Sequence, residues 1–199
     1  MKRIYILPVL ALLSLPMNAE QPEKGYRGFI EWSNDLRRPY EYQLSGTGQF
    51  DLQRSTQVHS GLSTSHGYQF NNQFFLGAGV SAELYRSNRT NNWFVPIFIQ
   101  ARTDQKWGIF TPFGDLRIGG YYSDSEHKGF YLSPSIGYRF NWGRKVGLNV
   151  GIGWTFTASR HDEYEEVFDS DNGYTTWEPT GRHFTLTQNY FSFRIGLDF

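Results

Sequence analysis

The sequence predicts an all-β protein: an eight-stranded antiparallel up-and-down transmembrane β-barrel, apolar face outward and polar face inward. Three observations carry that expectation. Apolar residues alternate with small or polar ones through successive segments, which is the two-residue period of a strand. The segments are about ten to thirteen residues long, the length a tilted strand needs to cross a bilayer's hydrocarbon core. The third is the ending "NYFSFRIGLDF", where the alternation runs to Phe199 with no polar tail. A soluble domain usually ends in a mobile polar tail.

That last segment sets the phase. Phe191, Phe193, Ile195, Leu197 and Phe199 share one face; Tyr190, Ser192, Arg194, Gly196 and Asp198 share the other. From the N-terminus, "MKRIYILPVLALLSLPMNAE" has two basic residues, an apolar run and a small-residue cleavage pattern. It reads as a secretory signal over 1–19, cut after Ala19, and is too short to span a bilayer comfortably. The barrel is expected over 20–199.

Two weaker strands come first, over Lys24–Asn34 and Thr56–Phe70. Phe74–Leu84 then places Leu76, Val80 and Leu84 against Phe75, Gly77 and Glu83. Trp93–Ala101 places Val95, Ile97 and Ile99 against Phe94, Phe98 and Gln100. Phe110–Tyr122 places Leu116 and Ile118 against Asp115 and Arg117. Phe130–Phe140 places Leu132 and Ile136 against Ser133, Ser135 and Arg139. Val146–Phe156 places Leu148, Val150, Ile152 and Trp154 against Asn149 and three glycines.

A soluble barrel would alternate too, with its apolar face inside. An eight-stranded interior is narrow, and rows of Gly, Ser, Asn and Arg suit it better than the aromatic-rich face does. The greasy face is therefore expected in lipid. Closure follows, because an open sheet edge in hydrocarbon leaves unpaired amides.

Short turns are expected at "FNNQF" (70–74), "TDQKW" (103–107) and "NWGRK" (141–145). The opposite connections are Asn34–Ser55, Ser87–Asn92, Ser123–Gly129 and His161–Arg182. The first contains "YEYQLSGTGQFDLQ", which reads as a hairpin closed at "SGTG". Pro96, Pro112 and Pro134 fall inside strands with neighbours on both sides, so a bulge or register adjustment is expected at each.

Composition narrows the function. The 19 basic and 19 acidic residues leave no basic excess, so no nucleic-acid partner is expected. The absence of Cys excludes a disulfide and a lipid-anchor cysteine. The phase turns nine charged residues inward: Arg27, Glu31, Glu83, Arg102, Asp115, Arg117, Arg139, Arg194 and Asp198. A packed salt-bridge plug is the expectation and an ion path the alternative, because buried charges must pair. Glu83 and Arg102 are one candidate pair; if they pair, removing Glu83 alone should cost more than removing both.

Four stretches, "STSHGYQFNNQFFLGAGV" (63–80), "VPIFIQAR" (95–102), "TPFGDLRIGGY" (111–121) and "SPSIGYRFNWG" (133–143), resemble small outer-membrane β-barrel proteins of Bacteroides-type bacteria. They cover about a quarter of the mature chain, in order, and include all three proline sites. The architecture is similar to OmpA- or OmpX-type barrels. The resemblance implies an outer-membrane location, and contact with outer-membrane lipid and lipopolysaccharide follows from it; it implies no established activity and no cofactor. The terminal aromatic strand resembles the signal read by the barrel-assembly machinery.

Three function classes fit these features. The first is a non-enzymatic structural or surface-interaction protein. Its external loops would meet a host or surface ligand, with Phe168, Tyr174 and Trp177 as candidate contacts. The second is a lipid A-modifying enzyme of deacylase or acyltransferase type. The His-x-Ser-Asn arrangement of the deacylases is absent, and His59–Ser60 and Ser65–His66 are adjacent strand residues that face opposite sides. Loop-borne His161 or His183 would then act. A small channel is the third. "DSDNGY" (169–174) resembles a calcium loop only in part, since its Gly falls one place early and Thr180 stands where the bidentate Glu belongs.

Overall fold

The computed structural model describes residues 24–37, 57–86, 91–105, 110–124, 128–142, 146–169 and 174–199. The expected signal peptide lies outside the described residues, as does the hairpin expected within 34–55. Eight strands run in chain order: β1 (Gly25–Arg37), β2 (Gln57–Gln69), β3 (Phe74–Arg86), β4 (Asn91–Asp104), β5 (Phe110–Ser123), β6 (Lys128–Trp142), β7 (Val146–Asp169) and β8 (Tyr174–Asp198). Every strand pairs antiparallel with its sequence neighbours. β1 pairs with β8, from Phe29↔Asp198 to Arg37↔Tyr190, and closes the barrel. We call the end bearing the β2–β3, β4–β5 and β6–β7 connections the turn end, and the other the loop end.

Alternation decides which side chains point where. Ile97, Ile99 and Ile136 on the outer face are 66%, 61% and 65% exposed, whereas Arg139, Asp104 and Gln100 in the lumen have no exposed surface. The polarity is the reverse of a soluble barrel. The lumen also takes large rings, Phe29, Phe75, Phe94, Phe98, Phe113, Tyr131 and Tyr190, so small and polar rows do not fill it alone.

The β2–β3 turn is held by Asn71, whose Oδ1 accepts from the backbone N–H groups of Gln73 and Phe74, each at 2.8 Å. This is the local bond through which Asn favours turns. Phe70 N–H donates to Phe74 C=O at 2.9 Å and closes the loop.

Three expectations are corrected. First, the prolines cause no register shift. Beside Pro96 the β3–β4 ladder skips from Val80↔Ile97 to Glu83↔Phe94, and beside Pro134 the β6–β7 ladder skips from Leu132↔Phe156 to Ser135↔Gly153. In each case the register is the same on both sides of the gap. The missing N–H costs pairing and leaves strand alignment intact. Ser133 Oγ donates to Trp154 C=O at 3.4 Å next to the Pro134 gap. Pro112 lies near the turn end, where its carbonyl accepts from Gln105 N–H at 2.9 Å.

Second, Asn34–Arg37 belongs to β1 rather than to a loop. Third, most of His161–Arg182 is strand. β7 and β8 are 24 and 25 residues long, against 13 to 15 for the others, and continue past the barrel as a two-stranded ribbon. Its acidic residues gave it the look of a loop, but "EYEEVF" and "YTTW" are rich in β-formers. The β7–β8 ladder has its irregularity between Asp162↔His183 and Tyr164↔Pro179, beside a proline that cannot donate to it.

Candidate functional site

The lumen holds the chemistry-bearing side chains in three levels. At the turn end, Asp198 on β8 binds the guanidinium of Arg139 on β6 through Nε (2.8 and 3.0 Å) and Nη2 (2.8 Å). It also accepts from Arg27 Nε at 3.1 Å and Asn149 Nδ2 at 2.8 Å. Arg27 reaches on to Gln69 Oε1 at 2.8 Å and to Asp104. Arg102 donates to Asp104 Oδ1 at 2.8 Å and to Asn149 Oδ1 at 2.6 Å. Arg139 also donates to Asn141. Its guanidinium-rich centre is packed by rings: Arg102 lies 3.7 Å over Phe113, and Arg27 and Arg102 lie 4.7 and 5.0 Å from the Phe29 centroid. This net ties β1, β2, β4, β6, β7 and β8 across the lumen. With its members at most 2% exposed apart from Asn141, it closes the lumen at this level.

At mid-height, Arg117 on β5 pairs with Glu31 on β1, with Asp115 at 3.2 Å, and donates to Ser63 Oγ at 3.4 Å. Asp115 also accepts from Gln100 and lies 3.6 Å from Arg194. Arg194 donates to Ser135 Oγ at 3.2 Å and to Ser133. Here two arginines meet two carboxylates.

Toward the loop end the lumen turns aromatic. The His59 ring lies 4.6 Å from Tyr190 and 4.7 Å from Tyr85, and Phe94 lies 4.5 Å from Tyr121. Glu83 accepts from Ser81 Oγ at 2.9 Å. Asp35 is 3% exposed, and its Oδ1 has no hydrogen-bond partner.

All nine charged residues singled out in the sequence line the lumen. The expected Glu83–Arg102 pair is not formed: Arg102 is committed to Asp104 and Asn149, and Glu83 to Ser81. Asp104 and Asp35 are lumen carboxylates absent from that set of nine, and Gln69 and His59 line the lumen as well; Gln100 and Asn149 hold the inward positions that the alternation gave them. Parity would have found Asp104, which follows Gln100 and Arg102 at the same spacing. Phe168, Tyr174 and Trp177 lie on the ribbon at Phe168↔Thr175, Asp169↔Tyr174 and Glu166↔Trp177.

A polar cluster on the outer face surrounds His66. His66 accepts from Tyr26 Oη at its Nδ1 (2.6 Å), and its Nε2 lies 2.9 Å from Thr64 Oγ1. Thr64 Oγ1 itself donates to Phe29 C=O at 3.2 Å. The threonine proton is thereby occupied, so the imidazole N–H donates to Oγ1. That is the opposite of a base activating a nucleophile. His59 and Ser65 face the lumen, and Ser60 and His66 do not.

Phe199 ends the seam. Its N–H donates to Gly28 C=O at 3.0 Å, and its C=O accepts from Gly28 N–H at 2.9 Å. The ring covers Gly28 so closely that a Cβ there would fall 2.8 Å from Phe199 Cζ. Phe191, Phe193, Ile195, Leu197 and Phe199 are all exposed on the outer face.

These features define a class: a closed eight-stranded antiparallel barrel, apolar outside, with an ion-paired lumen. Among solved structures, the outer membrane protein OprG from Pseudomonas aeruginosa is similar, with a TM-score of 0.53 and 10% identity over 91% of this chain and 98% of that one. The outer membrane protease OmpT from Escherichia coli aligns with a TM-score of 0.41 and 10% identity over 89% of this chain and 95% of that one. No protein-family model and no curated protein matches the chain.

Proposed function

We propose that the chain is an integral outer-membrane barrel without enzymatic activity, whose β7–β8 ribbon and external loops meet a host or surface ligand. The observation that carries the reading is the inverted polarity. A belt of exposed apolar side chains surrounds the barrel, far more than a soluble monomer leaves open. Aromatic residues gather at both rims, with Phe70, Phe74, Phe110 and Tyr138 near the turn end and Trp93, Tyr122 and Phe130 near the loop end. Such girdles suit the two membrane–water interfaces. The OprG likeness in fold supports the same reading, and so does the resemblance to small Bacteroides-type barrels.

In this reading the signal peptide over 1–19 exports the chain and the turn end faces the periplasm. The β8 strand ending in Phe199 engages the assembly machinery, and the loop end stands among lipopolysaccharide. The plugged lumen serves stability, which leaves the ribbon as the surface for recognition. The membrane claim is tested by gel migration before and after boiling, together with alkaline washing of membranes. A band that shifts on boiling and a chain that stays with the membrane are expected; a chain released by the wash overturns the claim. Replacing 38–55 and the part of the ribbon beyond Asp162↔His183 separately tests the role. Lost binding to host glycans or proteins supports recognition, whereas altered lipid A acylation would instead mark an enzyme. Deleting Phe199 is expected to reduce insertion without affecting secretion.

A further inference from the structure

The turn-end level of the lumen is out of charge balance. Among the described residues, Arg27, Arg102 and Arg139 face two carboxylates there, Asp104 and Asp198. The other groups they bond, Gln69, Asn149 and Asn141, are neutral. The carboxylates of the next level make their bonds within that level. Asp115 stands opposite Arg102 in the β4–β5 ladder, but it is held by Arg117, Gln100 and Arg194, and Glu31 is held by Arg117. Phe199 lies on the seam, where its N–H and C=O are both bonded to Gly28.

The same level contains two orphaned donors. Arg27 Nη2 and Arg102 Nη1 are buried with no hydrogen-bond partner. Both side chains are at most 1% exposed. The two guanidinium groups are neighbours, since both bond Asp104 and both lie against the Phe29 ring. A buried, unpaired positive charge with unsatisfied N–H groups is costly, and both costs are removed together by an anion. A water molecule would satisfy the donors but leave the charge.

We propose that the Arg27–Arg102 pair binds one small inorganic anion of the halide class inside the turn end of the lumen. The dense packing against Phe29 and Phe113 suits a compact monatomic ion better than a phosphate. The ion would complete the net that ties β1 and β4 to the seam strand β8, so the barrel's stability would depend on chloride.

The test uses the full mature chain refolded in detergent micelles. The urea midpoint is followed as sodium chloride replaces sodium gluconate at constant ionic strength. A midpoint that rises and saturates is expected, because a ligand bound only by the folded state stabilises by mass action. A linear drift, or none, overturns the proposal. Gln69→Glu supplies a carboxylate to Arg27 with little change of shape and should abolish the chloride response; a response retained in full counts against the site. Should that variant fail to fold, wild-type crystals grown in sodium bromide decide. An anomalous peak within hydrogen-bond distance of Arg27 Nη2 and Arg102 Nη1 supports the proposal. Water alone at that position, or bromide only at the surface as an adventitious ion, overturns it.

Discussion

The two ends of the lumen solve the problem of a narrow polar interior differently. At the turn end, charge is concentrated and cross-linked: one carboxylate, Asp198, is shared by Arg139, Arg27 and Asn149 from three other strands. At the loop end, rings fill the space around His59, and the two carboxylates, Asp35 and Glu83, have no arginine within ion-pair distance among the described residues. The turn end is therefore the clamp that fixes the seam. The loop end is packed more by shape than by charge, and it is the end from which the ribbon extends. Removing one member of a paired, buried set is expensive because the partners are stranded. Removing a carboxylate that has no cationic partner is not.

The largest expected effect comes from breaking the clamp. Asp198→Asn preserves shape but leaves Arg27 and Arg139 without their shared anion. A loss of about 3–5 kcal/mol is expected, the range for stranding buried ion-pair partners. Urea unfolding in micelles measures it. A loss below ~1 kcal/mol would show that the surface-like median for ion pairs applies even here.

Next is the mid-level pair. Arg117→Met and Glu31→Gln should each be costly, and the double variant should recover part of the loss, with a coupling of about 1–3 kcal/mol. The same cycle on Glu83 and Arg102 should be additive to within ~0.5 kcal/mol, since each is bonded elsewhere. Coupling between Glu83 and Arg102 as large as that between Arg117 and Glu31 would contradict the partner assignments.

That contrast also marks what a linear sequence can disclose. Parity along each strand was enough to place five arginines and four carboxylates in one lumen, because a strand's two faces alternate without exception. Strand number and order were legible for the same reason. The pairing was not. Arg102 stands opposite Asp115 on the neighbouring strand, yet bonds Asp104 on its own strand and Asn149 on β7. Contacts across a small barrel depend on strand tilt and stagger, which no single strand's pattern encodes. Strand ends were the other weak point. Asp104 and Asp35 lay just outside the segments read as strand, and the ribbon was hidden because its acidic residues resemble a solvated loop.

A smaller effect is expected at the loop end. Glu83→Gln can keep the bond from Ser81 through its amide oxygen and strands no cation, since no arginine lies within ion-pair distance of Glu83 among the described residues. A buried carboxylate without a cationic partner gains little from its charge. The variant should be neutral or more stable by up to about 1 kcal/mol, the net scale of a single hydrogen bond. A destabilisation as large as that of Asp198→Asn would erase the distinction between the two ends.

The smallest effect sharpens the comparison at the outer surface of the clamp. Gly28→Ala puts a methyl group where the Phe199 ring now rests, 2.8 Å from Cζ. The ring end is flexible and lies at the surface, so it can swing aside while both backbone bonds between Gly28 and Phe199 persist. A cost of about 0.5 kcal/mol is expected, within the usual range for surface substitutions. Gly147→Ala is the internal control. Its Cβ would fall against Arg139 Nε and Asp198 Oδ1, in the centre of the buried net. Neither group can move without breaking an ion pair, so the same methyl should cost several times more. Equal losses from the two alanines would mean that the seam is held as firmly by its outer ring as by its inner charges. The role assigned to Asp198 would then pass in part to Phe199.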